Sequence, residues 1–122
     1  MNTHLIISTS NELLRVAASQ IIYISSDGNY SNLLISGGEI RMVTFQLGQL
    51  EDMISKQLPD MRNMFVRIGR SLIINMNHIY HINISRQQLL LKGFLLFFGK
   101  RYKCFGIQVK GAFYTVFVEQ FN

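Results

Sequence analysis

The chain has no tryptophan, one proline and one cysteine among its 122 residues, and only 16% of them are charged. A lone cysteine, Cys104, excludes an intramolecular disulfide framework and a multi-cysteine zinc site, as suits a reducing compartment. Long apolar runs are also missing. The greasiest stretch, "LLLKGFLLFFG", is broken by Lys92 and Gly93 and falls far short of the roughly 20 apolar residues that a membrane-spanning helix needs. The start, "MNTHLIISTSNELL", has no basic region ahead of an apolar core and a small-residue cleavage site, so it does not read as a secretory signal. Gly-rich phosphate motifs of nucleotide enzymes and Ser/His/Asp nucleophile signatures are absent too. The expectation is a soluble, cytoplasmic protein that is not an enzyme and has no small-molecule substrate, cofactor or membrane partner.

What is present is apolar and basic. Hydrophobic residues make up 48% of the chain, a globular rather than a disordered balance. Twelve Lys plus Arg against seven Asp plus Glu leave a net charge of +5, with a pI near 9.7. This favours anionic partners such as nucleic acid or an acidic membrane surface, and the sign alone does not choose between them. No repeat of 20 to 50 residues and no Pro-rich or Ser-rich linker divides the sequence, so residues 1–122 read as one domain.

Most segments are short, rich in Ile, Leu, Val, Phe and Tyr, and punctuated by Gly, Asn, Asp and Ser, the pattern of many strands with tight turns. In "QIIYISSDGNYSNLLIS", Ile22 and Ile24 alternate with Tyr23 and Ser25, and Asp27-Gly28 offers positive φ for a primed hairpin turn. "HLIIST" and "LLRVAAS" predict another strand pair around "SNE", and Gly37-Gly38 turns the chain into "EIRMVT". One segment has the helical period. Leu47, Leu50, Ile54 and Leu58 recur at spacings of three and four, Thr44 can cap the start and Pro59 ends it. The fold class expected is mainly β with one short amphipathic helix over about 45–58. Further strands are expected in "MFVRI", "LIINMNHIYHINI", "QQLLLKG", "FLLFFG", "KCFGIQV" and "FYTVFVEQF".

The segment "FVRIGRSLIINMNHI" carries the most suggestive polar residues. In a strand from Phe65 to Ile68, Val66 and Ile68 point one way and Arg67 the other, so one face packs while the arginine stays in water. Gly69 lets the backbone turn and leaves Arg70 and Ser71 at a loop tip. Two guanidiniums and a hydroxyl on one bend suit phosphate oxygens and guanine edges, because Arg donates two parallel hydrogen bonds to either. Solubilising charge on an exposed loop is the plainer reading. Tyr30, after Asp27-Gly28-Asn29, either stacks or hydrogen-bonds at nucleic acid or covers a hairpin end. Asn75 fits a role in fixing backbone groups where a strand turns, rather than in reading a base. Glu51 reads as an exposed helix residue, and an acid near Arg67 orients it by ion pairing.

"IIYISSDGNYSNLLI", a helix containing "QLEDMI", and "FVRIGRSLIINMNHI" together resemble the LytTR DNA-binding domain family over roughly residues 5–115. The family pattern falls on Gly28, Asn29 and Tyr30, on Leu50 and Glu51, and on Arg67, Gly69, Arg70, Ser71 and Asn75. The resemblance implies an elongated β-sheet domain or sandwich of a bacterial response regulator in two-component signalling, one that controls transcription by laying loops into successive major grooves of double-stranded DNA. Its contact loops would carry Asn29 and Tyr30, then Arg67, Arg70 and Ser71, then a late basic residue, Lys110. Lys100, Arg101 and Lys103 are alternatives as phosphate contacts, because the sequence beyond Lys92 is more apolar and longer than the pattern. Gly69 departs from the pattern as well, standing where the family usually has His. Two copies on repeated half-sites, as a homodimer, follow by analogy.

Other chemistries are less well supported. His78 and His81 have a His-x-x-His spacing, but in a strand they point to opposite faces and no cysteine or carboxylate cluster completes a metal set, so no metal is expected. Cys104 has no His or acid partner motif, which disfavours a catalytic thiol. The apolar C-terminal third either fills a sandwich core or leaves a strand for pairing with a second copy. The alternative function is therefore a β-rich protein-interaction or dimerisation module that has kept the fold without DNA binding.

Overall fold

The structure is a computed structural model that describes residues 3–68, 70–83, 88–91, 94–97, 102–109 and 112–119, with side chains described for 3–61, 63–68 and 70–79. Strands β1 (His4–Ser8) and β2 (Leu13–Ala17) form an antiparallel hairpin, His4 pairing with Ala17. Thr9 closes its turn, the hydroxyl oxygen accepting from the amides of Asn11 and Glu12 at 3.3 and 3.1 Å. Strands β3 (Ile21–Asp27), β4 (Tyr30–Ile35), β5 (Glu39–Val43), β6 (Phe65–Ile68) and β7 (Leu72–Asn75) build a five-stranded sheet in the order β5-β4-β3-β7-β6. Helix α1 (Leu47–Gln57) connects β5 at one border to β6 at the other. Further along, β8 (Ile79–Asn83), β9 (Gln88–Leu91) and β10 (Phe94–Phe97) form a three-stranded antiparallel sheet, and β11 (Tyr102–Val109) pairs with β12 (Ala112–Glu119). The mainly β architecture with one amphipathic helix follows the sequence pattern.

Register explains which residues make the core. Ile24 pairs with Leu33 on one side and Ile73 on the other, placing all three on one face of the sheet. That face packs against Leu5 and Ile7 of β1, Val16 of β2, and Leu47, Leu50 and Ile54 of α1 in one buried cluster. Burying a side chain such as Leu50 contributes about 1.5 to 3 kcal/mol. The next row, Leu34 and Ile74 flanking Tyr23, belongs to the opposite face, and both aliphatic residues are buried there as well. Alternate residues of the central strands thus pack on the two faces of the sheet.

The local signals differ from expectation in three places. The hairpin turn is Gly28-Asn29, between the paired Asp27 and Tyr30, and Gly28 at φ 62° supplies the positive φ that a primed turn requires. The residue capping α1 is Gln46, not Thr44. Gln49, at the third helical position, reaches back so that its Oε1 accepts from the Gln46 amide at 2.8 Å, the glutamine form of a capping box. At the far end the Leu58 amide donates to the Ile54 carbonyl at 2.8 Å and Pro59 follows. Finally, "LIINMNHIYHINI" is not one strand: a 3-10 turn over Met76–His78 divides it into β7 and β8. Asn75 causes the break. Its Oδ1 accepts from the Asn77 amide at 2.9 Å, an Asx turn that competes with the ladder.

Candidate nucleic-acid interface

Two turns and the start of the helix gather at one end of the five-stranded sheet. The β3–β4 turn carries Asn29 and Tyr30, and the β6–β7 bend, between the paired Ile68 and Leu72, carries Arg70 and Ser71. Because Leu72 pairs with Ser25, that bend lies beside the end of β3. The Ser26 amide donates to the Ser71 carbonyl at 2.8 Å, joining the two turns through backbone. In the order β4-β3-β7-β6 the turn centres are two strand spacings apart, about 10 Å. Tyr30 is 45% exposed and Arg70 is exposed, while Ser71 is half-buried.

The helix start braces the same end. Asn29 Oδ1 accepts from Gln46 Nε2 at 3.2 Å. Ser31, wholly buried, donates through its hydroxyl to the Phe45 carbonyl at 2.8 Å, which holds the segment leading into α1 against β4. Asn29 therefore has a positioned side chain whose amide nitrogen has no partner among the described residues. Gln46 was not singled out in the sequence. Its signal is the spacing Gln46-x-x-Gln49 ahead of the apolar period, which fits a capping box better than Thr44 does.

Arg67 is not on a solvent-facing side of its strand. It pairs across the ladder with Ile73, a core residue, so it lies on the face that α1 covers. Its Nη1 sits 3.5 Å from Glu51 Oε1 on the helix, and the side chain is 29% exposed. The ion pair anticipated between these residues is present. Arg67 is less exposed than alternation predicts: Phe65 and Arg67 share the helix side, with Phe65 packed on the core cluster and Arg67 at its rim. Asn75 is buried and ties three segments together, its Nδ2 donating to the carbonyls of Ile21 at 2.8 Å and Ala18 at 3.3 Å. His78 lies in the 3-10 turn rather than a strand, and its Nε2 donates to the Ser19 carbonyl at 2.6 Å. Lys103 falls within β11, opposite Val118. Gly69, Lys100, Arg101 and Lys110 lie outside the described residues.

The model of the LytTR DNA-binding domain matches residues 11–103, most of the chain. The chain belongs to the LytTR DNA-binding domain family. No curated protein matches the sequence. Among solved structures, it is similar to the LytTr DNA-binding domain of a methyl-accepting/DNA response regulator from Bacillus cereus, at 21% identity and a TM-score of 0.52 over 75% of this chain and 78% of that one. At that identity the likeness speaks for the fold. Within the LytTR family match fall both turns, α1, the Glu51–Arg67 pair and Asn75, whereas Lys110 lies beyond its end. Among the described residues no helix is long and apolar enough to cross a membrane, and no cluster of three or more His, Cys, Asp or Glu is placed to hold a metal.

Proposed function

We propose that this chain is a sequence-specific DNA-binding output domain of a bacterial transcriptional regulator, acting in the cytoplasm as one domain. The shared end of the five-stranded sheet enters a major groove. The observation that carries this reading is the Ser26–Ser71 backbone bond, which sets the two turns side by side. Their separation of about 10 Å fits a major groove of about 12 Å width. Membership of the LytTR family supports double-stranded DNA as the partner.

The residues divide by chemistry. Arg70, exposed at the bend, suits a bidentate contact to guanine O6 and N7. Tyr30 and Asn29 reach the same groove from the neighbouring turn, Asn29 oriented by Gln46. Ser71 and Arg67 suit phosphate oxygens, with Arg67 steadied by Glu51. Lys110 extends the contact into an adjacent groove, and Lys100, Arg101 and Lys103 add phosphate contacts. Two copies occupy repeated half-sites.

Selection of duplexes from a random library, at two salt concentrations, tests this directly. The expected result is enrichment of a short repeated element, with affinity falling on a log–log slope of about −0.9 per phosphate neutralised. A pool that enriches nothing would favour the interaction-module alternative.

A further inference from the structure

Strand β5 forms one border of the five-stranded sheet, with β4 on its inner side. Among the described residues nothing pairs with its outer side, and such a border presents unpaired N–H and C=O groups that template another strand. The side chains beside it are apolar and solvated. Ile40 is 62% exposed and Met42 60%, although Leu34, directly across from Ile40 on β4, is 2% exposed. Cover on that face stops at β4. A groove of about 390 Å³, lined by Leu13, Leu14, Ile40, Arg41 and Met42 among others, runs alongside.

The charges on β5 specify the occupant. Glu39 and Arg41, two residues apart and so on the same face, pair with each other at 2.7 Å while both remain more than half exposed. A strand carrying opposite charges at this spacing is complementary to itself when antiparallel. A two-fold axis through Ile40 sets Glu39 opposite Arg41 of the second copy, and Arg41 opposite its Glu39. On the other face Ile40 meets Ile40 of the second copy, and Met42 lies against its Gly38, around whose missing Cβ there is open space. Shifting the axis to Arg41 would instead set arginine against arginine, which disfavours that register.

We propose that β5 pairs with β5 of a second copy of this chain in the Ile40-centred register, joining two five-stranded sheets into one. One short strand per copy buries less than the roughly 1,200 Å² of a standard interface, so the dimer is weak, with a dissociation constant on the order of 100 μM. Neither Arg70 nor the turn at Gly28-Asn29 takes part, and the inference does not rest on the DNA reading.

Sedimentation equilibrium of the full chain without DNA, over about 10 μM to 1 mM, tests it. The expected result is reversible dimerisation that weakens at high salt. Glu39→Arg and Arg41→Glu should each raise the dissociation constant by about tenfold or more, since each reversal creates two like-charge pairs per dimer. An equimolar mixture of the two variants should associate again, because their reversed charges complement across the contact; repairing only an intrachain pair cannot produce that rescue. Circular dichroism checks that the variants are folded. A wild-type chain that stays monomeric throughout, single variants that dimerise like wild type, or a mixture that remains monomeric would each overturn the proposal. Because DNA is absent, these outcomes are separate from success or failure of the library selection.

Discussion

The amide of Ser26, near the end of β3, donates to the carbonyl of Ser71 in the β6–β7 bend at 2.8 Å. This bond links segments 45 positions apart and ties the two turns together at one end of the sheet. Arg70 follows from it. Its neighbour's carbonyl is held, which limits the conformations open to that neighbour and so the entropy lost when Arg70 grips a partner.

Arg70→Ala should therefore weaken binding to the selected duplex by about 1 to 3 kcal/mol and relax the preference at one base position. Titration against the selected site and against single-base variants of it checks this. Unchanged affinity and preference would remove Arg70 from the base-reading residues.

Glu51→Gln should alter stability by less than about 1 kcal/mol, because its ion pair with Arg67 is partly solvated and screened. Its expected effect is on DNA, where a less well held Arg67 weakens selected and random duplexes alike. Arg67→Ala should do the same more strongly, and the double variant should be no worse than Arg67→Ala. Loss confined to the selected duplex would contradict a phosphate role for this pair.

Asn75→Ala should be far more damaging to the fold. The side chain is wholly buried and serves the Ala18 and Ile21 carbonyls and the Asn77 amide. Removing it strands buried polar groups at about 1 to 3 kcal/mol each when water cannot replace the bond, so a loss of roughly 2 to 4 kcal/mol is expected. Urea unfolding measures it, and a change below about 0.5 kcal/mol, the range of an ordinary surface substitution, would show that the site relaxes.

Gln57 links α1 to β1 by a two-way amide bridge: its Oε1 accepts from the Ile6 amide and its Nε2 donates to the Ile6 carbonyl, both at 2.8 Å. Gln57→Ala should cost about 1 to 2 kcal/mol. Gln57→Glu should also destabilise, since a carboxylate would face the Ile6 carbonyl without a donor. Unfolding curves of both variants at neutral pH decide the point; a glutamate variant as stable as wild type would mean that the bridge contributes little.

Local chemistry was legible where it was self-contained. Gly28 and Gly37-Gly38 mark turns because no other residue takes positive φ so cheaply, and the spacing from Leu47 to Leu58 shows a helix without reference to the rest of the chain. The role of Asn75 was legible in kind, a polar side chain fixing backbone where a strand turns, but not in its partners, because the carbonyls it serves are those of Ala18 and Ile21, more than 50 residues earlier. Arg67 is similar: alternation alone assigns it to water, but α1 returns over that face and brings Glu51 to it. At the candidate interface, residue types pointed to Tyr30, Arg70 and Ser71 one by one. Their meeting at a single sheet end with Gln46 depends on strand order, which pairs β3 with β7 across more than 40 residues of intervening chain.

Whether this end of the sheet meets DNA is decided by an NMR titration of the isotope-labelled chain with the selected duplex. Amide shift changes concentrated at Ser26 to Tyr30, Gln46, Arg70 and Ser71, with Gly37 and Gly38 at the opposite end of the sheet unmoved, are the predicted result. Changes centred on Gly37 to Met42, with the Gly28-Asn29 turn and Arg70 silent, would contradict it.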